Sequence, residues 1–196
     1  MKIKSITTPI SFQKEFITNA TILKNGNNHE CQIYELDSVE DKDYFEKIKQ
    51  DKKWRKAYFI NAIEKYFLRD YATEKTYTME DENGCLGVID IDIFNDERID
   101  INWLETCPKY AHKNKLRGTK NIGRALINFV VNLAKENNIE KIAVPDTTKK
   151  SFDFYDKYGF YFSTCHGEDV VIMSEDFDYV LERNSNYIKE KKNDEN

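Results

Sequence analysis

The chain has 196 residues and a formal net charge of −5, with 30 Lys and Arg against 35 Asp and Glu. Hydrophobic residues make up 40% of it, which is enough for one core and argues against a disordered chain. The acidic balance argues against a general nucleic-acid binder, because such proteins need a basic surface to displace phosphate counterions.

No stretch approaches the roughly 18 to 20 consecutive apolar residues of a membrane span, and the first residues lack the apolar segment of a secretory signal. We therefore expect a cytoplasmic protein that binds neither membrane nor nucleic acid. The cysteines are widely separated, with no C-x-x-C pair and only three His beside them, so we expect reduced, packing thiols and no metal site. They are Cys31, Cys85, Cys107 and Cys165.

In chain order, residues 1–28 have no clear periodicity, and we interpret them as an N-terminal extension that ends in a turn at Asn25 and Gly26. Residues 29–183 are expected to form one domain, and residues 184–196 to fray. The domain begins with a strand at 30–36. Two amphipathic helices follow, one around Phe45 and Ile48 and one over 54–67, whose aromatic residues are expected in the core or the acceptor site.

Three strands are predicted next, as an antiparallel meander. The first covers 75–79, and Asn83 with Gly84 then gives a strong hairpin signal. The second covers 86–94, where isoleucines alternate with Asp90 and Asp92, and the third begins at Ile99.

The last part of the predicted domain alternates helices with strands. Apolar spacing predicts a helix over 123–137, a short buried strand over 142–144 and a helix over 150–158 that ends at Gly159. A final strand includes 170–173. Because strand, helix and strand follow one another, the 142–144 strand should run parallel to the strand that begins at Ile99. The predicted fold class is α/β, in detail α+β, with a mixed and mostly antiparallel sheet.

One segment of this acidic protein is cationic. No Asp or Glu occurs from Thr106 to Lys135, whereas seven Lys and Arg residues do, and the segment leads into a glycine-bearing turn before the 123–137 helix. The alternative is an ordinary solvated basic face. A helix N-terminus preceded by such a turn is where an anion is held.

Three interpretations of 117–126 compete. A dinucleotide fingerprint is excluded, since no G-x-G-x-x-G follows a strand. A P-loop matches at Gly118 and Gly123, but Arg124 and Ala125 replace the Lys and the Ser or Thr that hold phosphate and magnesium. The third interpretation is a pyrophosphate cradle without metal, made of backbone N–H groups with nearby cations.

In this third interpretation the sequence resembles the GNAT superfamily of acyl-coenzyme A-dependent N-acyltransferases. The family motif Arg/Gln-x-x-Gly-x-Gly/Ala is matched by Arg117 and by the run from Asn121 to Leu126, with Asn121 at the first Gly and one additional residue after Arg117. Asn tolerates the positive φ of such a turn. A second match is 151–160, which resembles the family helix Ala-x-x-Phe-Tyr-x-Lys-x-Gly-Phe.

The resemblance implies a splayed parallel strand pair that admits pantetheine, and acetyl-coenzyme A as cofactor. It assigns Tyr155 as the general acid that protonates the departing thiolate. Backbone groups of Leu104, Glu105 and Thr106 would pair with pantetheine and face the thioester carbonyl. The implied cofactor-binding residues are Leu104, Thr106, Arg117, Gly118, Thr119, Lys120, Asn121, Ile122, Gly123 and Arg124.

The general base is a carboxylate, for which Glu105 is the first candidate and Asp100 and Asp146 follow. Cys107 is interpreted as a packing residue, because His112 is its only neighbouring His in sequence and lies in a Lys-rich loop.

The leading hypothesis is an N-acetyltransferase that acts by direct attack of a primary amine in a ternary complex. A cationic small-molecule or peptide amine is the expected acceptor, and a homodimer is a possible assembly. The alternatives are a catalytically inactive GNAT-like module that binds coenzyme A or a protein, and a purely structural protein that docks partners through its basic segment.

Overall fold

Nine strands form one sheet in the computed structural model, which describes residues 14–36, 41–54, 57, 74–94, 97–110, 119–145, 147–163 and 169–193. The strands are β1 (Glu15–Lys24), β2 (Asn27–Leu36), β3 (Glu74–Asp81), β4 (Gly84–Phe94), β5 (Arg98–Thr106), β6 (Thr119–Lys120), β7 (Lys141–Val144), β8 (Tyr161–Ser163) and β9 (Asp169–Met173). The helices are α1 (Lys42–Gln50), α2 (Ile122–Glu136), α3 (Lys149–Asp156) and α4 (Phe177–Asn193), with a 3-10 turn at Ser174–Asp176. None of these described helices is both long and apolar enough to cross a membrane.

The sheet order is β6-β1-β2-β3-β4-β5-β7-β9-β8. Strands β5 and β7 run parallel, whereas the other neighbouring pairs are antiparallel. The predicted meander of β3, β4 and β5 is confirmed, and its first turn is closed by Gly84 at φ +104°. The predicted parallel pair is confirmed as well, because α2 carries the chain back between β5 and β7.

The parallel ladder between β5 and β7 is short. It joins Arg98–Asp100 of β5 to residues 141–143 of β7 and does not extend along the rest of β5. On the other edge of β5, consecutive residues Asp90 and Ile91 of β4 oppose Trp103 and Ile101, so Asn102 is the additional residue of a β-bulge. A bulge bends its strand, and this one lies just beyond the point where the parallel ladder ends.

Each face of the sheet is covered by a different hydrophobic cluster. The larger cluster lies under α2, α3 and α4, where Ile89, Ile91 and Leu126 are fully buried. The smaller lies on the opposite face, where Phe45 and Ile48 of α1 pack with Trp54, Val88 and Cys107. We call these the α2 face and the α1 face.

A glycine allows α2 to lie directly on the sheet. A Cβ on Gly87 of β4 would lie 2.8 Å from Ile122 Cγ2 and 2.9 Å from Leu126 Cδ1. Both distances are shorter than van der Waals contact, so a larger residue would displace the first turn of α2.

Both ends of the chain contribute more structure than the sequence predicts. Strand β1 lies within the segment interpreted as an extension, yet it pairs with β2 along its length and buries Ile22 completely. Helix α4 runs through the segment expected to fray, and Asn184, 1% exposed, donates to Asn128 Oδ1 at 2.6 Å.

Strand β8 was not predicted. Most of the predicted 54–67 helix lies outside the described residues.

Candidate functional site

The turn before α2 has the conformation that the sequence predicts. Asn121 lies in the left-handed region, with φ 71° and ψ 17°, and α2 begins at the next residue. Its carbonyl accepts the helix bond from Ala125 N at 2.9 Å. The N–H groups of Ile122, Gly123 and Arg124 precede that bond and are the orphan donors of the helix, and no acidic residue lies in this first turn.

Gly123 brings three elements together at this turn. A Cβ there would lie 3.0 Å from Phe154 Cζ of α3 and 3.6 Å from Leu104 Cδ2 of β5. The first turn of α2, the middle of α3 and the distal half of β5 therefore meet at one point. The two sequence segments that resemble the family, 117–126 and 151–160, are thus in contact at Gly123 and Phe154.

The predicted cofactor-binding residues differ in what the structure describes. Arg124 is 6% exposed, and its guanidinium carbon lies 5.0 Å from the centre of the Tyr158 ring, so its side chain packs rather than extending into solvent. Thr119 and Lys120 form β6, which pairs with Leu23 and Lys24 of β1. Arg117 and Gly118 lie outside the described residues.

Strand alternation divides the end of β5 between the two faces. Leu104 packs with the α2-face cluster, and Thr106, two residues on, shares its side. Glu105 opposes Val88 and therefore points to the α1 face, on the same side as Trp103. Leu104 and Thr106 thus lie on the side of the turn at Asn121, whereas the predicted base Glu105 lies on the other.

Tyr155 is 6% exposed on α3, and its ring packs edge-on against Phe154 and Phe160, with centroid distances of 5.1 and 5.4 Å. Burial raises the pKa of its phenol well above the usual value, so the group carries its proton throughout the working pH range. None of the hydrogen bonds between described residues uses the Tyr155 hydroxyl. The helix is positioned by a capping box in which Thr148 and Ser151 bond each other's backbone N–H.

The other sequence candidates have different environments. Asp100 is 9% exposed and ion-paired with Arg98, which also reaches Asp169 at 2.7 Å. Asp146 lies outside the described residues. Cys107 is fully buried, and burial raises the pKa of its thiol, which opposes formation of a nucleophilic thiolate.

Sequence reasoning missed Asp90. The alternation of Ile and Asp in β4 indicates a solvated polar side, but Asp90 is 3% exposed and accepts a hydrogen bond from Thr76 Oγ1 at 2.7 Å. Burial raises the pKa of its carboxyl to about 6. Only the packing of the α1 face distinguishes it from Asp92, so no signal in the sequence identifies it.

Among the residues that the structure describes, His29, Asp81 and Glu82 have potential metal-ligand atoms within 4.8 Å of one another. The Lys24 ammonium lies 3.1 Å from Asp81 and 2.7 Å from Glu82 and already supplies a cation there. It also lowers the pKa of Glu82 to about 2. We therefore assign no metal site to these three residues.

The turn at Asn121 fits an anionic group such as a pyrophosphate. The Asn121 Nδ2 amide is buried without a hydrogen-bond partner among the described residues, beside the orphan N–H groups of α2. An elongated amide-bearing group fits the edge of β5 beyond Asp100, which β7 does not pair. Both observations agree with the motif-based expectation for coenzyme A.

Comparison with known proteins gives one family. The model described as "Acetyltransferase (GNAT) family" matches residues 32–160, which is well over half of the chain. No curated protein sequence matches the chain.

Three similar solved structures are the following. The Campylobacter jejuni N-acetyltransferase PseH in complex with acetyl coenzyme A is 16% identical, covers 73% of this chain and 98% of its own, and has a TM-score of 0.50. The PaiA N-acetyltransferase of Thermoplasma acidophilum in complex with coenzyme A is 18% identical, with coverages of 72% and 96% and a TM-score of 0.47. The KacTA–DNA complex is 12% identical, with coverages of 62% and 82% and a TM-score of 0.49. At 16% identity the similarity to PseH is one of fold alone.

Proposed function

Because the chain belongs to the GNAT acetyltransferase family, we propose that it transfers an acetyl group from acetyl-coenzyme A to a primary amine. The observation that carries this proposal is the short ladder between β5 and β7, which ends at Asp100 and Ala143. Beyond it, β5 offers an edge of backbone groups next to the positive end of α2. Bound acetyl-coenzyme A would supply an acetyl thioester, which is the electrophile for acyl transfer.

The chain's own residues would then hold the cofactor from the α2 face. N–H groups of Ile122, Gly123 and Arg124 would bind pyrophosphate oxygens, with cations of the segment before α2 adding charge. Backbone groups of Leu104 and Thr106 would pair with pantetheine amides. An N–H donor on this edge, aimed at the thioester carbonyl, would stabilise the negative charge that develops there.

Proton transfer would involve both faces. Tyr155, protonated and on the α2 face, would give its proton to the departing sulfur. A carboxylate on the α1 face, for which the sequence proposes Glu105, would receive the proton of the acceptor. The acidic side chains of that face favour a cationic acceptor, such as a polyamine, an aminoglycoside or a lysine side chain.

The proposal is tested by mixing the protein with acetyl-coenzyme A and a panel of primary amines, namely spermidine, an aminoglycoside and a lysine-containing peptide. A thiol-detecting reagent follows the coenzyme A that is released, and calorimetry measures binding of acetyl-coenzyme A. We expect saturable binding and amine-dependent thiol release. Saturable binding without thiol release for every amine would contradict catalysis, and absence of binding at millimolar concentration would contradict the cofactor assignment.

A substitution at Asn121 tests the turn. A β-branched residue is strained at its φ of 71°, so we expect Asn121→Val to lose about 1–2 kcal/mol of unfolding free energy and to bind acetyl-coenzyme A more weakly. Asn121→Gly should keep the stability, because Gly adopts this conformation without strain. Its loss of affinity should be smaller than that of the Val variant, since it lacks only the Nδ2 amide and keeps the turn. Calorimetry and chemical denaturation measure the two quantities. Equal cofactor affinity in the Val and Gly variants would show that the turn does not hold the cofactor.

A further inference from the structure

Asp90 lies beside the place where the sheet opens. It lies in β4 opposite Trp103 of β5, and the bulge residue Asn102 precedes Trp103. The parallel ladder between β5 and β7 ends at Asp100, two residues before Asn102. Since Val88 two residues before it is in the α1-face cluster, Asp90 points to the α1 face. Across the opened strand is the α2 face, where the turn at Asn121 lies.

The two carboxylate oxygens of Asp90 accept hydrogen bonds of different length. Thr76 Oγ1 donates to Oδ1 at 2.7 Å, whereas Asn102 Nδ2 lies 3.5 Å from Oδ2 and makes its shorter bond, of 2.9 Å, with Asp92. No cation forms an ion pair with Asp90 among the residues whose side chains the structure describes. Oδ2 is therefore weakly held and is directed toward the bulge.

Burial is the main cause of the raised pKa of Asp90, and the neighbouring groups contribute less. Asp92, on the same strand and face, raises the pKa of Asp90 by repulsion, and Asp100 of β5 lies on that face but is paired with Arg98. Thr76 and Asn102 act in the opposite direction, and burial outweighs them, so the pKa rises to about 6. Above pH 6 the group is a carboxylate whose basicity is close to that of an effective catalytic base.

We propose that Asp90 is the proton acceptor for the acceptor amine, an inference that rests on the proposed acetyl transfer. The substrate ammonium gives one proton to Oδ2. The nitrogen then forms the amide N–C bond and loses its second proton, while the thioester C–S bond breaks. Tyr155 gives its phenolic proton to the sulfur and regains one from the nitrogen through solvent. One proton per turnover leaves Asp90 for solvent, which balances the reaction.

The test follows initial rates of thiol release from pH 5 to 9, with saturating acetyl-coenzyme A and the fastest amine of the panel. For Asp90→Asn we expect kcat/KM for the amine to fall about 10²-fold or more and the acidic limb of the pH profile to disappear. Acetyl-coenzyme A affinity should be unchanged. The thermal midpoint of the Asp90→Asn variant at pH 7 should not fall below that of the wild type, because a buried carboxylate with a raised pKa opposes folding when ionised.

Two further variants make the test specific. Asp92→Asn removes the neighbouring carboxylate on the same face. It should keep the wild-type rate above pH 7 and retain an acidic limb, which moves to slightly lower pH because the repulsion that raises the pKa of Asp90 is gone. Thr76→Val removes the hydrogen bond that lowers the pKa of Asp90, so its acidic limb should move to higher pH even if Asp90→Asn does not fold.

Several results would overturn the proposal. The first is an acidic limb of the pH–rate profile that persists in Asp90→Asn or is lost in Glu105→Gln instead. The second is an acidic limb that stays at the wild-type pH in Thr76→Val. The third is a loss of acetyl-coenzyme A affinity in Asp90→Asn that parallels its loss of rate. If the wild-type protein released no thiol with any amine, the proposed function itself would be wrong and this inference with it. Wild-type turnover with an unchanged profile in Asp90→Asn would overturn the role of Asp90 alone.

Discussion

Tyr155→Phe is expected to reduce kcat for acetyl transfer by about 10²-fold, because the variant keeps the ring and loses the proton donor for the departing sulfur. The ring packing against Phe154 and Phe160 is preserved, so cofactor affinity and thermal stability should stay at their wild-type values. The loss should also depend on the leaving group, since a thiol of lower pKa needs less help from an acid. Thiol release and calorimetry measure these effects.

Tyr161→Phe is the matched control, because Tyr161 follows Tyr155 closely in the chain and is 41% exposed on β8. It should retain wild-type turnover. If Tyr155→Phe also retained wild-type turnover, the phenol would be a packing group, and the proton for the sulfur would come from elsewhere. A parallel loss of cofactor affinity and turnover would likewise contradict the role of a proton donor.

Gly159→Ala is expected to destabilise the protein by about 2–4 kcal/mol. Gly159 lies in the turn that follows α3, at φ +94°, and a Cβ there would lie 2.7 Å from Val180 Cγ2 of α4. Val180 is fully buried, so it cannot move aside without displacing α4. For a domain of this size each kcal/mol lowers the thermal midpoint by roughly 2–4 °C.

Gly84→Ala separates the two contributions to this loss. Gly84 has φ +104°, and no atom lies within 4 Å of its Cβ position, so that variant meets backbone strain without a steric clash. We expect it to lose about 1–2 kcal/mol. Equal losses in the two variants would show that α4 does not pack closely against Gly159. Thermal and chemical denaturation of both variants give the comparison.

Local signals predicted the elements that surround the site. Asn83 with Gly84 predicted the hairpin, the apolar spacing predicted α2, and the left-handed conformation of Asn121 follows from its side chain at a position where the family has Gly. Such features depend on neighbours within a few residues. They could therefore be inferred from the sequence alone.

Features that depend on distant pairing could not be inferred in this way. Strand β1 is stabilised by β2 and by residues about 96 positions further on, and its own sequence has little alternation. The burial of Asp90 depends on tertiary packing over the α1 face, and the bulge at Asn102 appears only once β4 and β5 are in register. Site geometry on β5 is thus set by long-range contacts, although the residues that form it are visible locally.

The two-residue ladder between β6 and β1 connects the N-terminal strand directly to the turn at Asn121. Leu23 and Lys24 pair with Lys120 and Thr119, and Asn121 follows at once. Free energy gained when the turn at Asn121 is occupied therefore also opposes local opening of β1, since opening that strand would release the turn. Amide hydrogens of β1 should exchange more slowly in the liganded protein, so a segment upstream of the matched family region would report occupancy of the site.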